Sequence, residues 1–359
     1  MDAISNQIIA ISDIIGISEG ISSRSRPRRQ KAYKIRINPF DLTKDDFRKK
    51  YRFTKESARY IVSLVSEELQ KDRRGGGITP ELQVLTALRC WGRREDDCGD
   101  LHGMEQSTVS LVCNRVARAI AGLAHQFIKM PNGIREEEII MDQFRGIANF
   151  PGVIGALDCT HIKLRKIPEH FINFIPTGNL IICRHFVYLV INKNVYTFQA
   201  VCDAKLRLMN VVARWRGSTH DSRIFSESHL KTRFDQGHFR GRLLGDSGYP
   251  LLPYLFTPIL RPNNVREDRY NRAHIKTRNT IERCFGVLKQ RFQCLLFGLT
   301  VSLENAKVLI VALSVLHNIA INRNDDILGI NIYLLINNTL VFASGFGNSR
   351  KLYFYTFFL

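Results

Sequence analysis

The chain is short of negative charge: Lys and Arg number 52 against 33 Asp and Glu, a formal net charge of +19 over 359 residues. Such a surplus favours a polyanionic partner through counterion release. The plainer reading is a basic surface with no dedicated partner. CxxC pairs are also lacking. The eight cysteines, at positions 90, 98, 113, 159, 183, 202, 284 and 294, have no zinc-knuckle or dithiol spacing. No uninterrupted apolar run reaches the ~18 residues of a membrane-spanning helix. No secretory signal is recognisable, since Asp13 interrupts Ile8–Ile17 and no small-residue cleavage site follows. A reducing compartment with free thiols is the resulting expectation. The apolar fraction, 45%, is ample for a packed core.

Residues 1–36 read as a flexible leader ending in the basic run Arg24-Ser-Arg26-Pro-Arg28-Arg29-Gln-Lys31, suited to nuclear import or to phosphate contact. A nuclear location follows as an expectation, with a cytoplasmic pool also compatible. Residues 37–150 carry helical periodicity. Thr54 is a candidate N-cap, Gly75–Gly77 a breaker, and Thr79-Pro80-Glu81 the start of a helix running to about Trp91. A third helix starts at Gln106-Ser107-Thr108. Helix, polar turn and a helix led by Gln-Ser-Thr have a helix-turn-helix layout, whose second helix would offer Gln106, Ser107 and Thr108 to DNA. An ordinary helical bundle accounts for the same pattern.

From residue 151 the texture turns to α/β. Val153–Leu157 is a short apolar strand stopping at Asp158, and Leu243–Gly245 another stopping at Asp246. Strands are predicted at Phe186–Ile191, Val195–Cys202 and Leu206–Ala213. Helices are predicted at Asp221–Phe234, Thr277–Cys294 and Leu303–Ile321, giving a mixed sheet. The tail, 326–359, is apolar and aromatic without a clear period, and is expected to add little to the fold.

Functional crevices in α/β sheets lie at the carboxyl ends of strands, where Asp158 and Asp246 are placed. In the last-but-one helix Ile281, Phe285, Leu288 and Phe292 form a buried stripe, and Glu282 sits on its rim. Carboxylates gathered in this way suit Mg²⁺ or Mn²⁺, which can drive an in-line phosphodiester displacement. Asp221 is either a charge on a helix N-terminus or an additional metal ligand. Asp203 reads as a turn residue and His161 as a structural histidine with metal or substrate contact as its alternative. Lys163, Lys289 and Arg291 are candidate phosphate contacts.

Four segments carry a family resemblance: Ala156-Leu-Asp158-Cys-Thr-His161-Ile, Gly217-Ser-Thr-His220-Asp221-Ser-Arg223-Ile-Phe225, Leu243-Leu-Gly-Asp246-Ser-Gly-Tyr249-Pro, and Arg278-Asn-Thr-Ile-Glu282-Arg-Cys-Phe-Gly-Val-Leu-Lys289. With Val315-Leu-His317-Asn318 they resemble the PIF/Harbinger transposases and the nucleases derived from them. The likeness is strong over 150–325 and weaker over 38–150, where it rests on Gly99–Gly103 and Gln106–Ser110. It implies a ribonuclease-H-like catalytic domain (151–325) behind the helical region, with a catalytic triad of Asp158, Asp246 and Glu282. Asp246 and Glu282 have 35 residues between them, the spacing found in many enzymes with this triad. The resemblance further implies a divalent cation held by the triad and Asp221, DNA as substrate, and a separate Myb/SANT-like partner supplying DNA specificity. Residues 167–191 depart from the family pattern, as do the leader and tail. The rival expectation is a domesticated transposase without catalysis that binds DNA or a partner. A hydrolase for other substrates fits neither charge nor motifs.

Overall fold

The computed structural model describes residues 38–70, 78–92, 104–165, 195–217 and 219–325. The basic leader, Gly75–Gly77, Gly99–Gly103, the predicted strand Phe186–Ile191, the divergent 167–191 segment and the 326–359 tail lie outside them. Five strands form one mixed sheet in the order β3-β2-β1-β4-β5. They are β1 (Val153–Lys163), β2 (Val195–Cys202), β3 (Leu208–Arg216), β4 (Arg242–Leu244) and β5 (Leu255–Phe256). β1 pairs antiparallel with β2 and parallel with β4. The remaining pairs are antiparallel β2–β3 and parallel β4–β5.

Before the sheet come α1 (Lys44–Tyr51), α2 (Lys55–Gln70), α3 (Pro80–Gly92), α4 (Gln106–Gly122), α5 (Ala124–Phe127) and α6 (Ile134–Ala148). Within and after it come α7 (Asp221–Ser226), α8 (His229–Asp235), α9 (Val265–Arg291), α10 (Cys294–Phe297) and α11 (Leu303–Asn322). Thr54 caps α2 as its sequence position suggested, its Oγ1 accepting from Ser57 N at 3.2 Å.

Buried side chains of α1–α4 are continuous with those of α9, α11 and one sheet face, through Phe53, Val116, Ile281, Leu288, Phe292 and Leu313. A second cluster on α6, α7, α8 and the other face includes Phe144, Leu157, Phe225 and Leu243. The sheet is thus covered on both sides, which accounts for the near-continuous burial along β2. α11 is long and apolar enough to cross a membrane, yet 67% of its most apolar window is buried inside the protein, as befits a core helix. Its His317 Nε2 donates to Leu206 O at 2.7 Å. Asn318 accepts from Leu208 N at 2.8 Å and donates to Leu208 O at 2.7 Å. The Leu-His-Asn motif therefore pins the β2–β3 turn.

The structure corrects several expectations. β1 runs past Asp158 to Lys163, because its partner β2 continues after β4 has ended. β3 begins at Leu208, later than Leu206, since Leu206 takes a left-handed φ of 66° in the tight turn. Asp203 is the turn residue its sequence position suggested, accepting from Lys205 N and Arg207 N at 2.9 and 2.8 Å. The predicted helix Asp221–Phe234 is two helices, broken where Ser228 turns out of α7 and caps α8. α9 starts at Val265, twelve residues before the predicted Thr277, on an Asn264 cap whose side chain accepts from Glu267 N at 2.9 Å. Asp325, at the end of the described residues, is almost wholly buried.

Candidate metal centre

Strand register brings the first two acids together. In the parallel β1–β4 pair Ala156 stands opposite Leu244. Asp158 and Asp246 each lie two residues further on, side by side where β4 ends. Glu137, buried on α6, secures the approach to β4 by accepting from Arg240 N and Gly241 N, both at 2.9 Å. β1 packs closely against side chains of both neighbours at Gly155, where a Cβ would come within 2.5 Å of Val201 on β2 and 2.9 Å of Leu243 on β4. The turn after β4 aims the second acid, with Gly248 N donating to Asp246 Oδ1 at 2.9 Å.

Asp221 opens α7 beside this pair. One carboxylate oxygen from each of Asp158, Asp221 and Asp246 lies within 4.8 Å of the others, and all three residues are half-buried. Asp221 thus stands both in the first turn of a helix and in this acidic group, so both readings of it have a place in the structure. This group contains oxygen donors alone, without His or Cys, so its chemistry fits Mg²⁺ or Mn²⁺ rather than zinc.

Glu282 is outside that triplet and reaches the site through an arginine. Arg278 Nη1 donates to Asp158 Oδ2 at 2.9 Å, and its Nη2 bonds Glu282 one helical turn along α9. The Arg278 and Asp158 side chains are 15% and 16% exposed, Glu282 43%. Burial pushes the Asp158 carboxyl up to about 6, against the pull of Arg278 and the Cys159 N–H, while Asp246 and Glu282 push it further up. Burial disfavours the Arg278 charge, but Glu282, Asp158 and Asp246 more than offset it, and the guanidinium is held above its ordinary range.

A polar shell behind the acids was not foreseen in sequence. Gln199 Nε2 donates to Tyr249 OH at 3.0 Å and to Asp221 O at 3.3 Å. Tyr249 OH also lies 3.3 Å from Cys159 Sγ. Burial raises both the Cys159 thiol and the Tyr249 phenol well above their usual ranges, so the shell remains uncharged behind the carboxylates. Gln199 is buried at the centre of a strand otherwise rich in apolar residues, and that anomaly was the available signal. Arg278 could have been noticed as the i−4 partner of Glu282.

The remaining candidates separate. Lys289 Nζ donates to Thr160 Oγ1 at 2.7 Å, on the same face of β1 as Asp158, and burial lowers its pKa to about 8. Lys163 is exposed at the end of β1. His161 points to the opposite side of the strand from Asp158, with Nδ1 3.4 Å from Thr197 Oγ1, which favours its structural reading. At the start of α4, Gln106 and Ser107 are exposed and Thr108 half-buried. Arg291 is a correction: it is fully buried and unable to meet a phosphate. It bonds the backbone carbonyls of Arg52 and Asp325, stands 3.6 Å from the Asp325 carboxylate, and stacks on Phe53 at 4.9 Å. Its position, three residues after Leu288, puts it on the buried face of α9. Asp325 Oδ2 in turn accepts from Thr54 N at 2.9 Å. The six cysteines among the described residues, including Cys159, are free thiols.

Comparison with known proteins identifies the family. Residues 157–318 match a family described as DDE superfamily endonuclease. HARBI1 of Homo sapiens is 32% identical over 294 residues, 80% of each chain. The Xenopus laevis counterpart is 30% identical over 80% of this chain and 81% of its own. The ALP1-like protein of Arabidopsis thaliana is 27% identical over 79% of this chain and 72% of its own. No solved structure matches the chain. On these matches the chain belongs to the family of nucleases derived from Harbinger transposases.

Proposed function

We propose that this protein is a divalent-metal-dependent DNA endonuclease descended from a DDE transposase, with Asp158, Asp246 and Glu282 as its triad and Asp221 as a further metal ligand. The observation that carries the reading is the β1–β4 register, which sets Asp158 and Asp246 together within reach of Asp221. A ribonuclease-H-like description of the sheet and flanking helices fits this placement. Bound Mg²⁺ or Mn²⁺ would supply Lewis-acid activation of water or a 3′-hydroxyl and stabilise the leaving oxygen.

The chain's own residues do the positioning. Gly248 N holds Asp246 Oδ1 at 2.9 Å, while Cys159 N and Arg278 Nη1 hold Asp158 Oδ1 and Oδ2 at 2.8 and 2.9 Å, so both carboxylates are oriented before a cation arrives. The Gln199–Tyr249 shell fixes the main chain at Asp221. Lys163 at the end of β1 and Lys289 on α9, which bonds Thr160 of β1, are the proposed contacts to the DNA backbone. The excess of 19 positive charges supplies attraction without sequence preference. The start of α4, with Gln106, Ser107 and Thr108, is the proposed helix-turn-helix contribution. A Myb/SANT-like partner and a nuclear location complete the proposal.

The test is nicking of supercoiled plasmid by purified protein in Mg²⁺ or Mn²⁺, beside D246N and E282Q. Metal-dependent nicking lost in both variants is the expected result. Identical traces for all three proteins would defeat the nuclease reading and leave the chain as a DNA- or partner-binding protein.

A further inference from the structure

Glu282 stands apart from the other acids for a physical reason. The three aspartates converge to within 4.8 Å, while the space between Asp158 and Glu282 is spanned by the Arg278 guanidinium, one Nη on each carboxylate. The planar fork of arginine suits such a bridge better than a single ammonium would. Arg278 is mid-helix on α9, 15% exposed, and linked to Glu282 at i,i+4, so the bridge is built into a regular element. A positive group in that place satisfies both carboxylates and repels any cation seeking the same oxygens. We propose that Arg278 takes the place of a second cation between Asp158 and Glu282, so that the DNA-free protein binds a single divalent ion, at Asp158, Asp221 and Asp246. A second ion then enters only once the guanidinium has left. An incoming DNA phosphate offers Arg278 a bidentate acceptor of its own, which would couple loading of the second ion to arrival of substrate.

This inference rests on the metal-site reading above, and ion counting separates the two. The experiment titrates whole, DNA-free protein with Mn²⁺, following free Mn²⁺ by electron paramagnetic resonance. Wild type is expected to bind one ion, R278Q two, and R278Q/E282Q one again. R278K, which keeps the charge, is expected to stay at one. Circular dichroism and melting curves verify that each variant is folded. Two ions of similar affinity in wild type would overturn the proposal whether or not R278Q folds. A folded R278Q that still binds one ion would overturn it as well, with the three-aspartate site intact. No Mn²⁺ bound by wild type or R278Q would defeat the metal site itself, and the proposal with it.

Discussion

Arg278 and Arg291 share one helix, and each neutralises an aspartate, yet they do different work. Arg278, in the middle of α9, bridges Asp158 and Glu282 where the sheet opens to solvent. Arg291, the last residue of the helix, is sealed with Asp325 between α9 and the start of α2, both side chains at 0% exposure. The first pair leaves oxygens that a cation can reach. The second leaves none, and holds together the two ends of the described fold through Thr54 and the Arg52 carbonyl. Residue type therefore says little about role on this helix, and solvent access decides it. A pair at the surface of a cleft can be exchanged for another cation; a pair in the core can only be broken.

Breaking the core pair should have the largest effect. D325A strands the Arg291 charge in the interior, and a loss of about 3–5 kcal/mol is expected. The urea midpoint would show it, equally with and without Mn²⁺. R278Q should cost less, about 1–3 kcal/mol, because Glu282 is part-exposed and Asp158 can take a proton. Here added Mn²⁺ should recover most of the loss in the same urea titration, and that rescue is what separates the two arginines. If D325A were rescued as well, the contrast would fail.

D158N sharpens the comparison from the acid side. Asp158 titrates at about 6 when folded against 3.8 ordinarily, so the folded protein holds its proton more tightly than the unfolded chain. Its contribution to stability is full below pH 3.8 and is lost as pH rises through 6. At pH 7 the ionised carboxylate is a burden on the metal-free protein. Removing the charge should raise stability in chelator by about 1–2 kcal/mol, discounted for the weakened Arg278 pair. Melting in EDTA across pH 4–8 would reveal it, the gain being absent at the acid end.

The smallest effect is expected at Lys289, whose pKa burial lowers from 10.5 to about 8. The folded protein sheds this proton more readily, so the penalty is complete below pH 8 and is relieved as pH rises toward 10.5. Wild type should gain about 1 kcal/mol over that range relative to K289M, its hydrogen bonds to Thr160 and His161 offsetting the remainder. Parallel pH–stability curves for the two proteins would contradict this.

Much of the candidate site was legible in the sequence because strand ends and spacing are local properties. Asp158 and Asp246 each follow a short apolar run, and β2 has its predicted bounds, Val195–Cys202. The stripe Ile281, Phe285, Leu288 and Phe292 is buried as its helical period required. What escaped depended on partners distant in the chain. The true end of β1 is set by β2 and not by Asp158. The first half of α9 is rich in charge and lacks a strong apolar stripe, so only the Asn264 cap could have marked its start. The basic character of Arg291 suggests a phosphate contact, but its place on the buried face of α9 gives it a role in the core. Asp325 was missed because its partners, Thr54 and Arg291, lie on other elements.

The most direct test of the central claim, that the three aspartates form a cation site, is the Mn²⁺-induced stability change in wild type and D246N. Ion binding to the folded state alone should stabilise wild type by about 2.7 kcal/mol at a hundredfold excess over Kd. D246N, folded but short of one ligand, should gain little at the same concentration. Equal gains in the two proteins, or none in wild type, would contradict the account.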